Sequence, residues 1–164
     1  MKRSIGFALL MSVASCGAFA TELTGQSCRP VHALLIESRD TENCQVSFCN
    51  SGTIEGNRGL NGTTHLELDG GAPGPDTAPG WRTATGLQTI TTRDGTLVLR
   101  VVGIFKISGT PSNGVEAAGF ELVSATGRFE GATGEVFAAT RIVNGVFNHT
   151  ITGTLCLNRR HTAE

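Results

Sequence analysis

Apolar and polar residues alternate along this chain with a period of two, in short segments bounded by Gly, Asn and Asp. That spacing predicts half-buried β-strands, and no long stretch carries the 3.6-residue period of an amphipathic helix. The sharpest segment runs from Glu135 to Leu157 and turns at Asn144-Gly145. Asn-Gly supplies the positive φ values of a type I′ turn, whose twist matches that of the strands it joins. A two-residue turn there pairs Val143 with Val146, Ile142 with Phe147, Thr140 with His149, Ala138 with Ile151 and Val136 with Gly153. The face carrying Ile142, Phe147, Ile151 and Leu155 is apolar except for Thr140 and His149, while Arg141, Asn148, Thr150 and Thr152 lie on the other. Slipping the register by one residue would expose Phe147 and Ile151, so His149 is expected in the interior.

A second hairpin is expected at Asp94-Gly95, joining residues 87–93 to a long strand over 96–108. Leu97, Leu99, Val101, Phe105 and Ile107 share one face of that strand, and Val98, Arg100, Val102, Ile104 and Lys106 share the other. Apolar residues on both faces predict a strand substantially buried on both sides or lying beneath a neighbour. Further strands are expected over 45–57, 63–69 and 119–126, and residues 31–37 read as a strand or a short helix. Pro73, Pro75 and Pro79 exclude a central strand between Asp69 and Trp81, which reads as a long loop, functional or mobile. About eight antiparallel strands predict an all-β fold: a single antiparallel eight-stranded barrel, whose closure leaves no free edge. A two-sheet β-sandwich is the alternative, and the recurrent Gly of residues 52–62 also admits a β-solenoid.

The first residues change the compartment rather than the fold. Met1-Lys2-Arg3, an apolar stretch from Ile5 to Val13 and Ala18-Phe19-Ala20 read as a secretory signal peptide over 1–20. The run is too short to span a bilayer. A competing pattern, Val13-Ala14-Ser15-Cys16, resembles a lipobox in which Cys16 would carry a lipid anchor. The mature chain, 21–164, is expected as one domain, secreted or periplasmic, or else an outer-membrane lipoprotein. Loss of Lys2 and Arg3 leaves 11 basic against 14 acidic residues, a formal charge of −3. That balance offers no attraction to nucleic acid or to an anionic membrane surface.

Four cysteines remain, and an even number in an exported chain predicts two disulfides. Zinc-type paired spacings are missing, and the reading assigns neither a metal nor a cofactor. With the strand around Cys49 taken as the first of the barrel and Cys156 in the last, a Cys49–Cys156 bond would staple the closing seam. Cys28 would then pair with Cys44.

The segment Ala125-Thr-Gly-Arg-Phe-Glu-Gly-Ala-Thr-Gly134, between two strands and followed by Thr152-Gly-Thr-Leu155, resembles the allene oxide cyclase and dirigent group of calycin-like barrels. In that group a Gly-x-Phe-x-Gly-Ala-x-Gly element links two late strands. Here it is Gly127, Phe129, Gly131, Ala132 and Gly134, with Gly permitting the bend and Phe129 plugging the barrel end. The likeness covers roughly the last 70 residues and implies an eight-stranded barrel around an apolar cavity. It carries over no catalytic residue, and the absence of any tyrosine departs from dirigent chemistry.

Candidate chemistry is sparse. No nucleophile elbow, zinc helix, phosphate loop or dinucleotide fingerprint is present. His149, facing inward opposite Thr140, is the candidate proton donor or acceptor, or else a buried side chain bonded to Thr140. Arg100 would anchor an anion if its face were internal, and Trp81 would lid the barrel mouth or pack beneath it. Lys106 shares Arg100's face; Glu121 and Glu130 read as exposed strand and corner carboxylates, or else as an acid or base. His65, Glu67 and Asp69 form one polar side of a strand, a solvated face with only weak metal geometry as the alternative. Three roles follow: an exported barrel holding a small apolar ligand, a cyclase or isomerase using the same cavity, or a structural or cell-surface protein without a ligand.

Overall fold

The computed structural model describes residues 25–158; the expected leader and Cys16 lie outside the described residues. Eight strands follow one another: β1 (Gln26–Arg39), β2 (Phe48–Gly56), β3 (Asn61–Pro73), β4 (Arg82–Thr92), β5 (Gly95–Ser108), β6 (Asn113–Ala125), β7 (Thr133–Val143) and β8 (Val146–Asn158). Each pairs antiparallel with the next, and β8 pairs back onto β1 to close a barrel. The barrel expectation is met, not the sandwich or the solenoid. Residues 31–37 are strand: Val31, Ala33, Leu35 and Glu37 point inward, while Leu34 and Ile36 stand 60% and 49% exposed outside. Apolar residues on both faces hid that alternation.

The Asn144-Gly145 turn forms as its dipeptide predicts, with φ values of 52° and 80°. Every pair derived from it is present, including Thr140 opposite His149 and Ala138 opposite Ile151. The second hairpin turns one residue earlier than expected, because Thr92 pairs with Gly95 around Arg93-Asp94. Two hydrogen bonds hold that turn: the Thr92 hydroxyl donates to the Gly95 carbonyl at 2.9 Å and accepts from the Asp94 amide at 3.2 Å. On β5 only one face is buried: Leu97, Leu99 and Val101 fill the barrel, whereas Val102 and Ile104 are exposed. A single closed sheet has one interior, so nothing in it covers the outer row. The expected loop after Asp69 is also shorter. A register shift between Leu68 and Gly70 lets β3 continue to Pro73, leaving residues 74–81 to turn.

The two ends of the barrel differ. One is closed by the segment 126–132, where Phe129 is wholly buried beside Leu60, Ala132 and Leu157. A 3-10 turn over Gly127–Phe129 delivers that ring, and positive φ at Gly127 and Gly131 bends the chain around it. Above the plug, Val31, Leu35, Ile54, Ile90, Leu97, Leu99, Ile151 and Leu155 leave a void of only about 30 Å³. The other end, bounded by the turns 40–47, 74–81, 109–112 and 144–145, is open.

The disulfides are Cys28–Cys156 and Cys44–Cys49, which corrects the expected pairing of Cys49 with Cys156 and Cys28 with Cys44. Cys49 lies on the second strand, not the first, so the closing seam is β1 against β8. That seam's register sets Cys28 directly opposite Cys156. Cys49 sits near the mouth end, where it ties the 40–47 turn to β2 through Cys44. Two disulfides are consistent with an extracellular or periplasmic protein. No helix among the described residues is long and apolar enough to cross a membrane.

Candidate functional site

Halfway up the barrel the inward rows change from aliphatic to polar. Glu37 continues the row Val31, Ala33, Leu35 on β1; Asn50 stands on β2, Thr64 on β3, Gln88 on β4, Thr140 on β7 and His149 on β8, all buried. The Glu37 carboxylate is the hub. Its Oε1 accepts hydrogen bonds from Thr64 Oγ1 at 2.7 Å and Gln88 Nε2 at 2.9 Å. Its Oε2 faces His149 Nε2 at 3.6 Å, too far for a direct hydrogen bond. On its other side the imidazole meets Thr140, Nδ1 to Oγ1 at 2.7 Å. The Phe147 ring stacks on His149 with centroids 6.2 Å apart, and Phe48 meets Phe147 edge-on.

Glu37 Oε2, His149 Nε2 and both amide atoms of Asn50 are buried without a hydrogen-bond partner. Buried polar atoms nearly always have partners, so such a cluster calls for a reason. Directly above it lies a cavity of about 420 Å³ that opens at the mouth. Apolar wall is supplied by Phe48, Leu66, Leu68, Ala84, Phe105, Ile107 and Phe147, and polar groups by Asn50 and Glu116 together with Ser47, Asp69, Arg82 and Thr83. Glu37, Thr140 and His149 lie one layer deeper, in contact with the groups of the wall rather than forming it.

Glu116 is the second interior carboxylate. It sits between Phe105 and Thr140 in the cross-strand register. Burial pushes its carboxyl above the ordinary carboxylate value, the charge of His149 opposes the shift, and Glu37 adds to it. A raised value means that the folded protein holds this proton more tightly than the unfolded chain. The cost to stability is therefore absent below the unfolded value and grows as pH rises through the folded one. Glu116→Gln should raise the melting temperature at about pH 8 and leave it unchanged below about pH 4. Thermal melts at the two pH values check this; an equal shift at both would refute it.

His149 and Thr140 are interior, as their register predicts, and bonded to each other. Arg100 is not internal: it points outward and pairs with Asp69, holding that carboxyl below its ordinary value. The alternation of β5 assigns its parity to the outer row, so it anchors nothing in the cavity. Trp81 does not line the cavity; it lines an adjoining cleft with Pro73, Pro75 and Pro79 that shares Arg82 and Ile107 with the cavity. Lys106, Glu121 and Glu130 are exposed on the outside. Sequence reasoning missed Glu37, Asn50, Gln88 and Glu116. For two of them the signal was parity: Glu37 shares the phase of Leu35, and Glu116 that of Ala118 and Phe120. Comparison with family models, with curated proteins and with solved structures finds no match to this chain.

Proposed function

We propose that this barrel binds a small, largely apolar ligand in the mouth cavity, with one polar group of the ligand directed at Asn50 and Glu116. The observation that carries this reading is the coincidence of open space with unpaired polar atoms: about 420 Å³ lies above an Asn50 amide that has no partner. Pockets for small molecules have about 300–1,000 Å³, apolar walls and a few polar groups that fix orientation. A ligand carbonyl or hydroxyl at the floor would satisfy the amide, and desolvation of its apolar body would supply the affinity. A purely structural barrel would have no need to leave that space open or those atoms unpaired.

The test fills the space. Ala84 is small, buried and part of the wall. Ala84→Phe should weaken binding of a fluorescent apolar probe such as anilinonaphthalene sulfonate at least tenfold, with the far-UV circular dichroism unchanged. Equal probe binding by both proteins, or none by the wild type, would refute the reading.

A cyclase or isomerase of the allene oxide cyclase type is the second reading, and Glu116 is what favours it. A carboxyl that keeps its proton above the usual range, next to the His149 and Glu37 layer, suits proton transfer to a bound ligand. The two readings part on whether a compound recovered from the cavity is chemically altered by the protein. Export, with cleavage after Ala20 or lipidation at Cys16, belongs to the same proposal. The mass of the native protein distinguishes Thr21 from a lipidated Cys16 as its first residue.

A further inference from the structure

A second cluster of reactive side chains lies outside the barrel, near its mouth end. The β2–β3 register sets Cys49 opposite Glu67 and Ser51 opposite His65, all on the outer face. Ligand atoms of Cys49, His65 and Glu67 fall within 4.8 Å of one another. Cys49 is buried beneath the 40–47 turn and joined to Cys44, while His65 and Glu67 remain partly open to solvent.

The hydrogen bonds around His65 orient its ring. Ser51 Oγ donates to Asp40 Oδ2 at 2.6 Å, which uses its only proton. At 2.8 Å from His65 Nδ1 the same oxygen must therefore accept, so Nδ1 carries a hydrogen. His65 Nε2 is turned to Glu67 Oε1 at 3.5 Å. Metal-binding histidines are held in this way, one nitrogen donating to an outer hydroxyl or carboxylate and the other free to ligate.

We propose that reduction of the Cys44–Cys49 disulfide turns this patch into a binding site for a zinc-class divalent cation, ligated by Cys44, Cys49, His65 Nε2 and Glu67. In the oxidised protein both sulfurs are committed to each other, and only an imidazole and a carboxylate remain, too few for tight binding. A dithiol reductant gives up two electrons and two protons, becoming a disulfide while Cys44 and Cys49 become thiols. The cation binds them as thiolates, and their protons pass to solvent. Two sulfurs, one nitrogen and one oxygen match the tetrahedral preference of zinc. The barrel tolerates the opening because Cys44 and Cys49 are only 5 residues apart and close a short turn, while the β1–β8 seam is held by its own strand ladder as well as by Cys28–Cys156.

Cobalt(II), a spectroscopic stand-in for zinc, tests this directly. Protein reduced with a phosphine, which offers no thiolate, should bind one Co²⁺ per chain with a thiolate-to-metal charge-transfer band that Zn²⁺ abolishes. The oxidised protein should show no such band. His65→Ala and Glu67→Gln should each raise the dissociation constant at least tenfold, and Ser51→Ala about 10- to 100-fold with the band retained. Cys28→Ser combined with Cys156→Ser, less stable but assayed where it is folded, should show the same band and the same Co²⁺ affinity after reduction, assigning the band to Cys44 and Cys49. The proposal is overturned if the reduced protein shows no band, if the band survives His65→Ala unchanged, or if reduction abolishes the β circular dichroism.

Discussion

Replacing both members of the seam disulfide, Cys28→Ala with Cys156→Ala, will cost the barrel about 3–5 kcal/mol. The bond joins residues 128 apart, so it constrains nearly the whole described chain in the unfolded state. Loop-closure entropy grows with the logarithm of loop length, and a loop of about 100 residues is worth about 4.7 kcal/mol in the chain-entropy model. The same model gives the Cys44–Cys49 bond about 2 kcal/mol, because it closes a loop of only a few residues. The seam bond also acts on the folded side. It clamps β1 to β8, the ladder that joins the two ends of the chain and whose contacts are the least local in the barrel. Urea denaturation of the two double variants checks the ranking. The seam variant should unfold at markedly lower urea and with a larger slope, since its unfolded state is freed to expand. Equal losses from the two pairs would refute this account.

Phe129→Ala will destabilise the protein by about 3–5 kcal/mol and will open the closed end. The ring is wholly buried between Leu60, Leu157 and the β5 end of the core. It is held by backbone that cannot readily collapse: the Arg128 amide donates to the Asp94 carbonyl at 2.8 Å and the Ala132 amide to the Phe129 carbonyl at 2.9 Å. A cavity there would persist, and its cost adds to the lost transfer energy. Phe129→Leu, which keeps most of the volume, should lose clearly less. Probe binding in the mouth cavity should survive Phe129→Ala at a temperature where the variant is folded, because the filled aliphatic layer and the polar layer lie between. Denaturation together with a probe titration measures both. Loss of probe binding in folded Phe129→Ala would show that the two ends are coupled.

Much of the candidate site was legible locally. The interior position of His149 and its partner Thr140 follows from one dipeptide, Asn144-Gly145, whose turn geometry dictates a register that no distant contact overrode. Glu37 and Glu116 were legible in principle, since each occupies the inward phase of an apolar strand. Yet Ile36 and Leu34 made the outward phase of β1 equally apolar, and Val115 did the same on β6. Where both phases are apolar, periodicity cannot say which face is inside.

By itself the chain determined what depends on short stretches: strands from two-residue alternation, hairpin register from Asn-Gly, and the bend around Phe129 from Gly127 and Gly131. A count of about eight strands favoured a barrel but left the sandwich open, and the pairing of β8 with β1 decided between them. Only the tertiary structure decided what depends on residues far apart. Cys28 meets Cys156 because β8 folds back on β1, and Arg100 meets Asp69 because the strands between 69 and 100 wrap side by side. Glu37 reaches Gln88 because four strands curve around one axis. Alternation and turn chemistry are written into backbone sterics over a few residues, whereas the stagger of a closed sheet is a sum over all eight ladders. No single segment carries that sum, so partners across the barrel emerge only when the last strand closes on the first.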